Sequence, residues 1–357
     1  MPTFDASAPA LSFFEFWPAW LFYLPMWLWI GLLAIHYRGL RLPLLANPRF
    51  PAGGLVGESK RDIFAQLRGE ERAALAPYVV FFRAGPAATQ LAEAEIRMAR
   101  AGFSYPVVAK PDMGCRGAGV RPVRDARELL AYLAAFPKGQ CLIVQKMVQA
   151  EGEAGIFYVR RPGEKRGEIF SLTLKYFPHV IGDGIRTIEQ LIRGDVRAGK
   201  VADLYLPRFA GRLDEVPVPG EAIRLVFAGN HCRGAIFRDG GRWITEEMRA
   251  RFDRIADCIP DFHFGRFDVR FADFEALRRG EDLIIVEFNG AGAEATHIWD
   301  SRMTLRGAWA TLMRQYALLF EIGAANRARG HKPENLWRVF RRWQGEKRAS
   351  LRYPPTA

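Results

Sequence analysis

Two short segments in the last third of the chain constrain its fold most. Residues 266–270 read Arg-Phe-Asp-Val-Arg, and residues 286–290 read Val-Glu-Phe-Asn-Gly. Hydrophobic and polar side chains alternate in both segments, which is the pattern of a β-strand, because successive strand side chains point to opposite faces. When the two strands lie side by side, Asp268, Glu287 and Asn289 form one oxygen-rich cluster.

This cluster has the chemistry of a magnesium site. Mg²⁺ prefers oxygen ligands and usually binds through one or two carboxylates together with substrate phosphates. Arg266 lies two residues before Asp268 and adds a positive charge beside the metal. The combination indicates phosphoryl chemistry. The alternative is a pair of ordinary strands with solvated charges, because Asp and Glu are common on exposed faces.

A second group of signals lies upstream, where a short apolar run over residues 106–111 contains Lys110 and leads into a glycine-rich loop at residues 112–120. A charge in an apolar strand needs an anionic partner. Successive backbone amides of a glycine-rich loop can form a nest for phosphate oxygens. The loop lacks the Walker A pattern. The end of the apolar strand at residues 141–148 is a candidate adenine-binding hinge. An acidic residue that follows it would bind the ribose.

Taken in order, these parts resemble the ATP-grasp superfamily of carboxylate–amine ligases, which includes the D-alanine–D-alanine ligases. The resemblance runs from about Phe103 to about Thr296. It implies an α/β (α+β) fold in which two α+β subdomains grip ATP. The hinge departs from the family pattern, because Gln145 stands where the family has an acid.

The resemblance also implies roles for individual residues. Lys110 and Arg266 would be catalytic, with Arg266 steadying an acyl phosphate. Asp268, Glu287 and Asn289 would hold two Mg²⁺ ions, or Mn²⁺ in their place. The ribose acid is either Glu151 or Glu153. The nucleotide-binding set would be Lys110, Gly114, Arg116, Gly117, Gly119, Gln145, Lys146, Met147, Val148, Glu151, Glu153 and Lys175.

A narrower resemblance covers residues 178–192, which are similar to a segment of the cyanophycin synthetases. Gly-Asp-Gly at residues 182–184 is a turn signal. Thr187 and Gln190 fit a capping box at the start of a short helix. A structural role therefore explains much of this motif.

The N-terminal region predicts a membrane segment. Residues 16–35 contain no charged residue, include several tryptophans and are about long enough to span a bilayer. Arg38 and Arg41 follow, so the positive-inside rule places the catalytic domain on the cytoplasmic face of the inner membrane. A single span competes with a monotopic hairpin, and a buried core helix is the alternative to both.

The chain divides into four predicted regions: a membrane-anchoring segment (1–45), a Gly/Pro-rich linker with a short pre-grasp region (46–104), the ATP-grasp domain (105–325) and a basic, aromatic tail (326–357). The glycines before Lys60 form either a linker or an anion site. The net charge is +12. The tail suits an anionic membrane surface, a nucleic acid or simply solvent, and we favour the membrane because no nucleic-acid motif accompanies it.

The expected function is that of a membrane-attached, ATP-dependent ligase that joins a small-molecule or lipid-linked carboxylate to an amine, with ATP and Mg²⁺. Candidate substrate contacts are Lys60, Arg224, Asn230 and Glu294. The alternatives are a kinase-like phosphotransferase and a non-catalytic nucleotide-binding scaffold. The oligomeric state stays open.

Overall fold

The computed structural model describes residues 1–5, 7–114 and 117–356, and within them the chain has a mixed α/β architecture with antiparallel strand pairs. The strands are β1 Tyr78–Phe82, β2 Val107–Pro111, β3 Arg121–Val123, β4 Cys141–Lys146, β5 Gly152–Val159, β6 Glu168–Tyr176, β7 His179–Ile181, β8 Ala222–Arg224, β9 Ile236–Asp239, β10 Phe264–Phe271 and β11 Ile284–Asn289. The helices are α1 Ala19–Phe22, α2 Leu24–His36, α3 Lys60–Phe64, α4 Ala87–Arg100, α5 Ala126–Ala135, α6 Ile188–Gly194, α7 Ala202–Tyr205, α8 Glu246–Asp257, α9 Phe274–Arg278, α10 Leu305–Ala328 and α11 Leu336–Ser350.

The first sheet has the strand order β1-β4-β2-β3 and packs against α4 and α5. Ala94 and Met98 of α4 are four residues apart, so they share one helix face and enter this core. Val107 and Ala109 of β2 enter the same core. Lys110 follows Ala109 and therefore lies on the opposite face of the sheet.

The second sheet has the strand order β11-β10-β5-β6-β9. Its apolar face packs against α8, with Phe267 and Val269 of β10 in contact with a core that includes Phe252. Because strand side chains alternate, Arg266 and Asp268 lie on the other face. On this other face, the charged side chains lie beside a separate apolar cluster that includes Phe157 and Phe264.

A small lobe joins the hairpin of β7 and β8 to helices α6 and α7 around Tyr205 and Ile188. The predicted capping box at its start is confirmed. Thr187 accepts a hydrogen bond from the backbone N–H of Gln190, and the Gln190 side chain accepts one from the backbone N–H of Thr187.

The predicted membrane helix is wrong. No helix in the described part of the chain is long and apolar enough to cross a membrane. The run over residues 16–35 is divided at Tyr23 into α1 and α2, and α2 has 13 residues. A helix of that length extends only about 20 Å, against about 30 Å for the hydrocarbon core of a bilayer. The inner-membrane location that was inferred from this segment is therefore wrong as well.

Packing inside the protein explains part of the apolar character of this segment. Met26 and Leu33 of α2 are buried, and the indole N–H of Trp29 donates to the carbonyl oxygen of Met313 in α10 at 2.9 Å. Phe14 and Phe22 are also buried and contact Trp299. One side of the N-terminal region therefore packs inside the protein, while Trp20, Leu28 and Ile35 are among its exposed apolar side chains.

Candidate functional site

Residues 266–270 and 286–289 lie in paired strands, as predicted. Across β10 and β11, Arg266 lies opposite Asn289 and Asp268 lies opposite Glu287. Direct cross-strand partners have Cβ atoms about 5 Å apart. The three predicted oxygen ligands therefore lie on one small area of the charged face, beside Arg266.

Asp268 is 7% exposed and is held by two cations. Arg266 Nε donates to its Oδ1 at 3.0 Å, and Lys175 Nζ lies 3.0 Å from the same oxygen. Burial would raise the pKa of Asp268, but Arg266 and Lys175 outweigh it and lower this pKa to about 2. The carboxylate is consequently charged at neutral pH. Arg266 also donates to the carbonyl oxygen of Glu294 at 3.0 Å.

Glu153, one candidate for the ribose acid, is buried in the same ion-pair network, which it joins through Lys175. Its oxygens lie 3.0 Å from Lys175 Nζ and 2.8 Å from Arg270 Nη2. Burial acts to raise the pKa of Glu153, and the two cations reverse the direction and lower it. Glu151, the other candidate, is exposed at the cavity wall.

Lys110 is 5% exposed and connects the two sheets. Its ammonium donates to Gln145 Oε1 at 2.7 Å and to the carbonyl oxygen of Val286 at 3.0 Å. Burial lowers the pKa of Lys110 to about 8, and the nearby charge of Lys60 acts in the same direction, against the opposing effect of Glu287. Lys60 lies nearby, with its Nζ 2.9 Å from Gly114 O and 3.7 Å from Glu287 Oε1.

The glycine-rich loop adopts a backbone that glycine favours. Gly114, Gly117 and Gly119 have φ angles of 151°, 70° and 72°. Arg116, the remaining predicted ligand in the loop, lies outside the described residues.

The C-terminal tail packs on this loop, a contact that the sequence did not indicate. Tyr353 donates its hydroxyl hydrogen to Met113 O at 2.8 Å. The hydroxyl of Thr356 donates to Gly117 O at 3.0 Å and accepts from the N–H of Gly119 at 3.1 Å.

One cavity of about 1400 Å³ brings nearly all these groups together. A pocket for one drug-sized ligand is commonly about 300–1,000 Å³, so this cavity has room for more than one ligand. Gly119 does not line it. The predicted residues that do are Lys60, Lys110, Gly114, Gly117, Gln145, Lys146, Met147, Val148, Glu151, Glu153, Lys175, Arg224, Asn230, Arg266, Asp268, Glu287, Asn289 and Glu294.

The candidate substrate contacts are in part occupied by the protein itself. Arg224 donates to the carbonyl oxygens of Val226 and Phe227, at 2.8 and 3.1 Å. Asn230 accepts from the N–H of Cys232 at 2.9 Å.

Glu294 accepts hydrogen bonds from two aromatic residues. The hydroxyl of Tyr23 donates to its Oε2 at 2.5 Å, and the indole N–H of Trp299 donates to its Oε1 at 2.7 Å. The N-terminal region therefore reaches the site directly, through Tyr23.

The segment before Lys60 is packed against the protein, so it is not a free linker. It also does not leave the N-terminus of α3 open to an external anion. Its glycines pack on the loop after β11, where Ala291 N–H donates to Gly53 O at 3.2 Å and Gly292 N–H donates to Gly54 O at 2.6 Å. The start of α3 already has an anion, because Asp112 Oδ1 accepts from the N–H of Arg61 at 2.7 Å.

Sequence reasoning missed Glu58 in this segment. Its Oε1 accepts from the N–H of Gly290 at 2.8 Å, and burial raises its pKa to about 8. In the sequence, the only sign of a role for this position was the candidate Lys60, two residues further on.

The donor chemistry fits Mg²⁺. Two carboxylates and one amide oxygen are hard ligands, and substrate phosphates commonly complete such a site. In the described part of the chain, no group of three or more His, Cys, Asp or Glu side chains is arranged to hold a metal. A metal here would therefore depend on Asn289 and on oxygens of the ligand.

Comparison with known proteins gives structural similarities only. No protein-family profile and no curated protein matches the chain. Similar solved structures include a bifunctional glutathione synthetase from Pasteurella multocida, with 16% identity and a TM-score of 0.35 over 72% of this chain and 35% of that one. The D-cycloserine synthetase DcsG shares 14% identity with a TM-score of 0.39, over 75% and 69% of the two chains. The D-alanine–D-alanine ligase from Bacillus anthracis shares 13% identity with a TM-score of 0.40, over 76% and 68%.

The match spans about a third of the length of the glutathione synthetase. At these identities and TM-scores, none of the similarities assigns the chain to a family or an activity.

Proposed function

We propose that the protein is an ATP-dependent carboxylate–amine ligase of the ATP-grasp type. The observation that carries the proposal is the convergence of distant motifs: Lys110 of the first sheet and Arg266, Asp268, Glu287 and Asn289 of the second line the same cavity. Cations and oxygen ligands meet there in a partly buried space, where electrostatic interactions are stronger than in water.

In the proposed complex, ATP lies between the two sheets. Lys110, Lys60 and Lys146 contact its phosphates, and the backbone of residues 145–148 reads the adenine edge. Glu151 holds the ribose, since it is exposed at the cavity wall, whereas Glu153 is buried between Lys175 and Arg270. The backbone amides of the glycine-rich loop complete the phosphate site.

Asp268, Glu287 and Asn289 would hold Mg²⁺, which when bound neutralises charge that develops on the transferring phosphoryl oxygens. Lys175 and Arg266 fix the position of the Asp268 carboxylate. Arg266 also orients the substrate carboxylate and then stabilises the acyl phosphate.

The reaction proceeds in two steps. A carboxylate oxygen attacks the γ-phosphorus of ATP, the bond between the γ-phosphorus and the bridging oxygen breaks, and ADP leaves. The amine nitrogen then attacks the acyl carbon of the acyl phosphate. The C–O bond to phosphate breaks, the nitrogen loses a proton, and the products are an amide and inorganic phosphate.

ADP and phosphate release from Mg-ATP tests this function, with pools of carboxylic acids and amines and with mass spectrometry of the products. We expect ADP release that requires both an acid and an amine, with a product of amide mass. A phosphorylated product without an amide would instead identify a phosphotransferase. ATP binding without turnover in any pool would favour a nucleotide-binding scaffold.

A further inference from the structure

The cavity continues beyond the charged groups into an apolar chamber. Its walls come from the N-terminal region and from α10, and they include Trp17, Trp27, Ile30, Tyr316 and Leu319. Neither the nucleotide nor the phosphoryl transfer that we propose needs this space. An apolar surface beside a reacting site gains free energy when an apolar ligand group displaces water from it.

The chamber is held in shape by hydrogen bonds between its two walls. The indole N–H of Trp309 in α10 donates to the carbonyl oxygen of Phe22 at 3.0 Å, and the indole N–H of Trp29 donates to Met313 O at 2.9 Å. A chamber whose walls are fixed in advance does not need to be ordered when the ligand binds.

Glu294 stands between the chamber and the charged site. Its carboxylate accepts from Tyr23 on the chamber wall, and its carbonyl oxygen accepts from Arg266. A carboxylate here favours a cationic or amine group, and it disfavours a second carboxylate. A nitrogen beside Glu294 is also close to the group that we assign to the acyl phosphate.

We infer that the amine substrate is an amphiphile, with its nitrogen beside Glu294 and an alkyl or aryl group in the chamber. This inference rests on the proposed ligase function and names its nucleophile. It also gives the N-terminal region a role, because that region supplies one wall of the chamber and the Tyr23 contact.

Equilibrium binding of butylamine, octylamine and dodecylamine to the full-length protein, followed by calorimetry below their micelle concentrations, tests the inference. We expect Kd to fall by roughly fourfold for each added methylene group. Octanoate, which has a similar alkyl chain with the opposite head-group charge, is expected to bind more weakly than octylamine. Glu294→Gln should remove most of this difference.

Two tryptophans provide a matched pair of variants. Trp27 lines the cavity, whereas Trp20 does not, and their exposures are 66% and 69%. Trp27→Ala is expected to weaken dodecylamine binding about tenfold, and Trp20→Ala is expected to leave it unchanged. The inference is overturned by binding that is independent of chain length, by equal effects of the two variants, or by preferred binding of octanoate.

The two proposals fail in different ways. ADP release with small amines, without any preference for long ones, would retain the ligase and remove the chamber assignment. Amine binding could instead depend on chain length and on Trp27 while ATP turnover is absent. That result would support the amine-binding role of the chamber and count against the ligase function.

Discussion

Asp268 and Glu287 are direct partners across the antiparallel pair β10–β11, yet their carboxylates have different surroundings. Asp268 is fixed between Arg266 and Lys175, whereas the ion-pair contact of Glu287 is a 3.7 Å approach to Lys60. In the proposed site, Asp268 is therefore a preformed anion, and Glu287 is the carboxylate that is more available to a ligand from the cavity.

Replacing Asp268 should impair both stability and activity. Asp268→Asn keeps the shape but removes the charge that pairs with Arg266 and Lys175. Breaking a buried ion pair at one partner typically costs about 3–5 kcal/mol. We expect the free energy of unfolding in urea to fall by about 3 kcal/mol and ATP turnover to be lost. An unchanged free energy of unfolding would show that Arg266 and Lys175 do not need the charge of Asp268 in the folded state.

Nucleotide binding should be linked to protonation of Lys110. Its pKa of about 8 lies below the ordinary value of 10.5, because the ammonium is buried. The unfolded chain therefore binds more protons between these pH values, and stability should rise with pH across that window. A bound phosphate favours the ammonium, so ATP binding at pH 8 should take up a proton.

Calorimetry in buffers of different ionisation enthalpy measures that uptake. ATP affinity should also fall above pH 8 in the wild type and should fall less in Lys110→Arg, since arginine stays charged. Proton uptake that persists in Lys110→Arg would assign it to another group.

Glu58 should give the opposite pH dependence of stability. Burial raises its pKa to about 8 from 4.5, so the folded state retains a proton that the unfolded chain loses between these values. Stability should therefore fall as pH rises through this window. Glu58→Gln keeps an acceptor for the N–H of Gly290 but does not titrate.

One pKa unit corresponds to about 1.4 kcal/mol. We therefore expect the unfolding free energy of Glu58→Gln, relative to that of the wild type, to rise by roughly 3–4 kcal/mol between pH 5 and pH 8. Urea unfolding at the two pH values checks this. Parallel pH profiles for the two proteins would contradict it.

The N-terminal region should be required for folding. Glu15 is buried and pairs with Arg197 at 2.6 Å and with His231 at 3.2 Å. Glu15→Ala leaves Arg197 buried without this partner, so we expect a loss of about 3–5 kcal/mol in the free energy of unfolding. The control is Asp5→Ala, which removes an exposed pair with Arg302 and should change the free energy of unfolding far less than Glu15→Ala does. Equal effects would count against a structural role for Glu15.

Local patterns predicted the strands of the site well. The alternation that defined residues 266–270 and 286–290 is a period-two signal, and both segments form the paired strands β10 and β11. The predicted capping box of Thr187 and Gln190 is also confirmed. Each of these signals lies within a few residues of sequence, so it does not depend on distant contacts.

The interpretation of the N-terminal region failed because composition does not specify what covers an apolar surface. Met26 and Leu33 would suit lipid, but they pack inside the protein. Pro25 lies in the first turn of α2 and is consistent with a helix start there. The ion-pair partners of Lys175 could not be predicted from the local sequence either, because Glu153 and Asp268 lie on two other strands.

ATP turnover by Glu287→Gln is the most direct test of the ligase proposal. Among the described residues, the ion-pair contact of Glu287 is the 3.7 Å approach to Lys60, so the variant should unfold much like the wild type. Glu275→Gln, in the exposed pair with Arg278, is the matched control. We predict Mg²⁺-dependent ADP formation by the wild type and the control, and a decrease of roughly hundredfold or more in Glu287→Gln. Wild-type turnover in Glu287→Gln would contradict the proposed site.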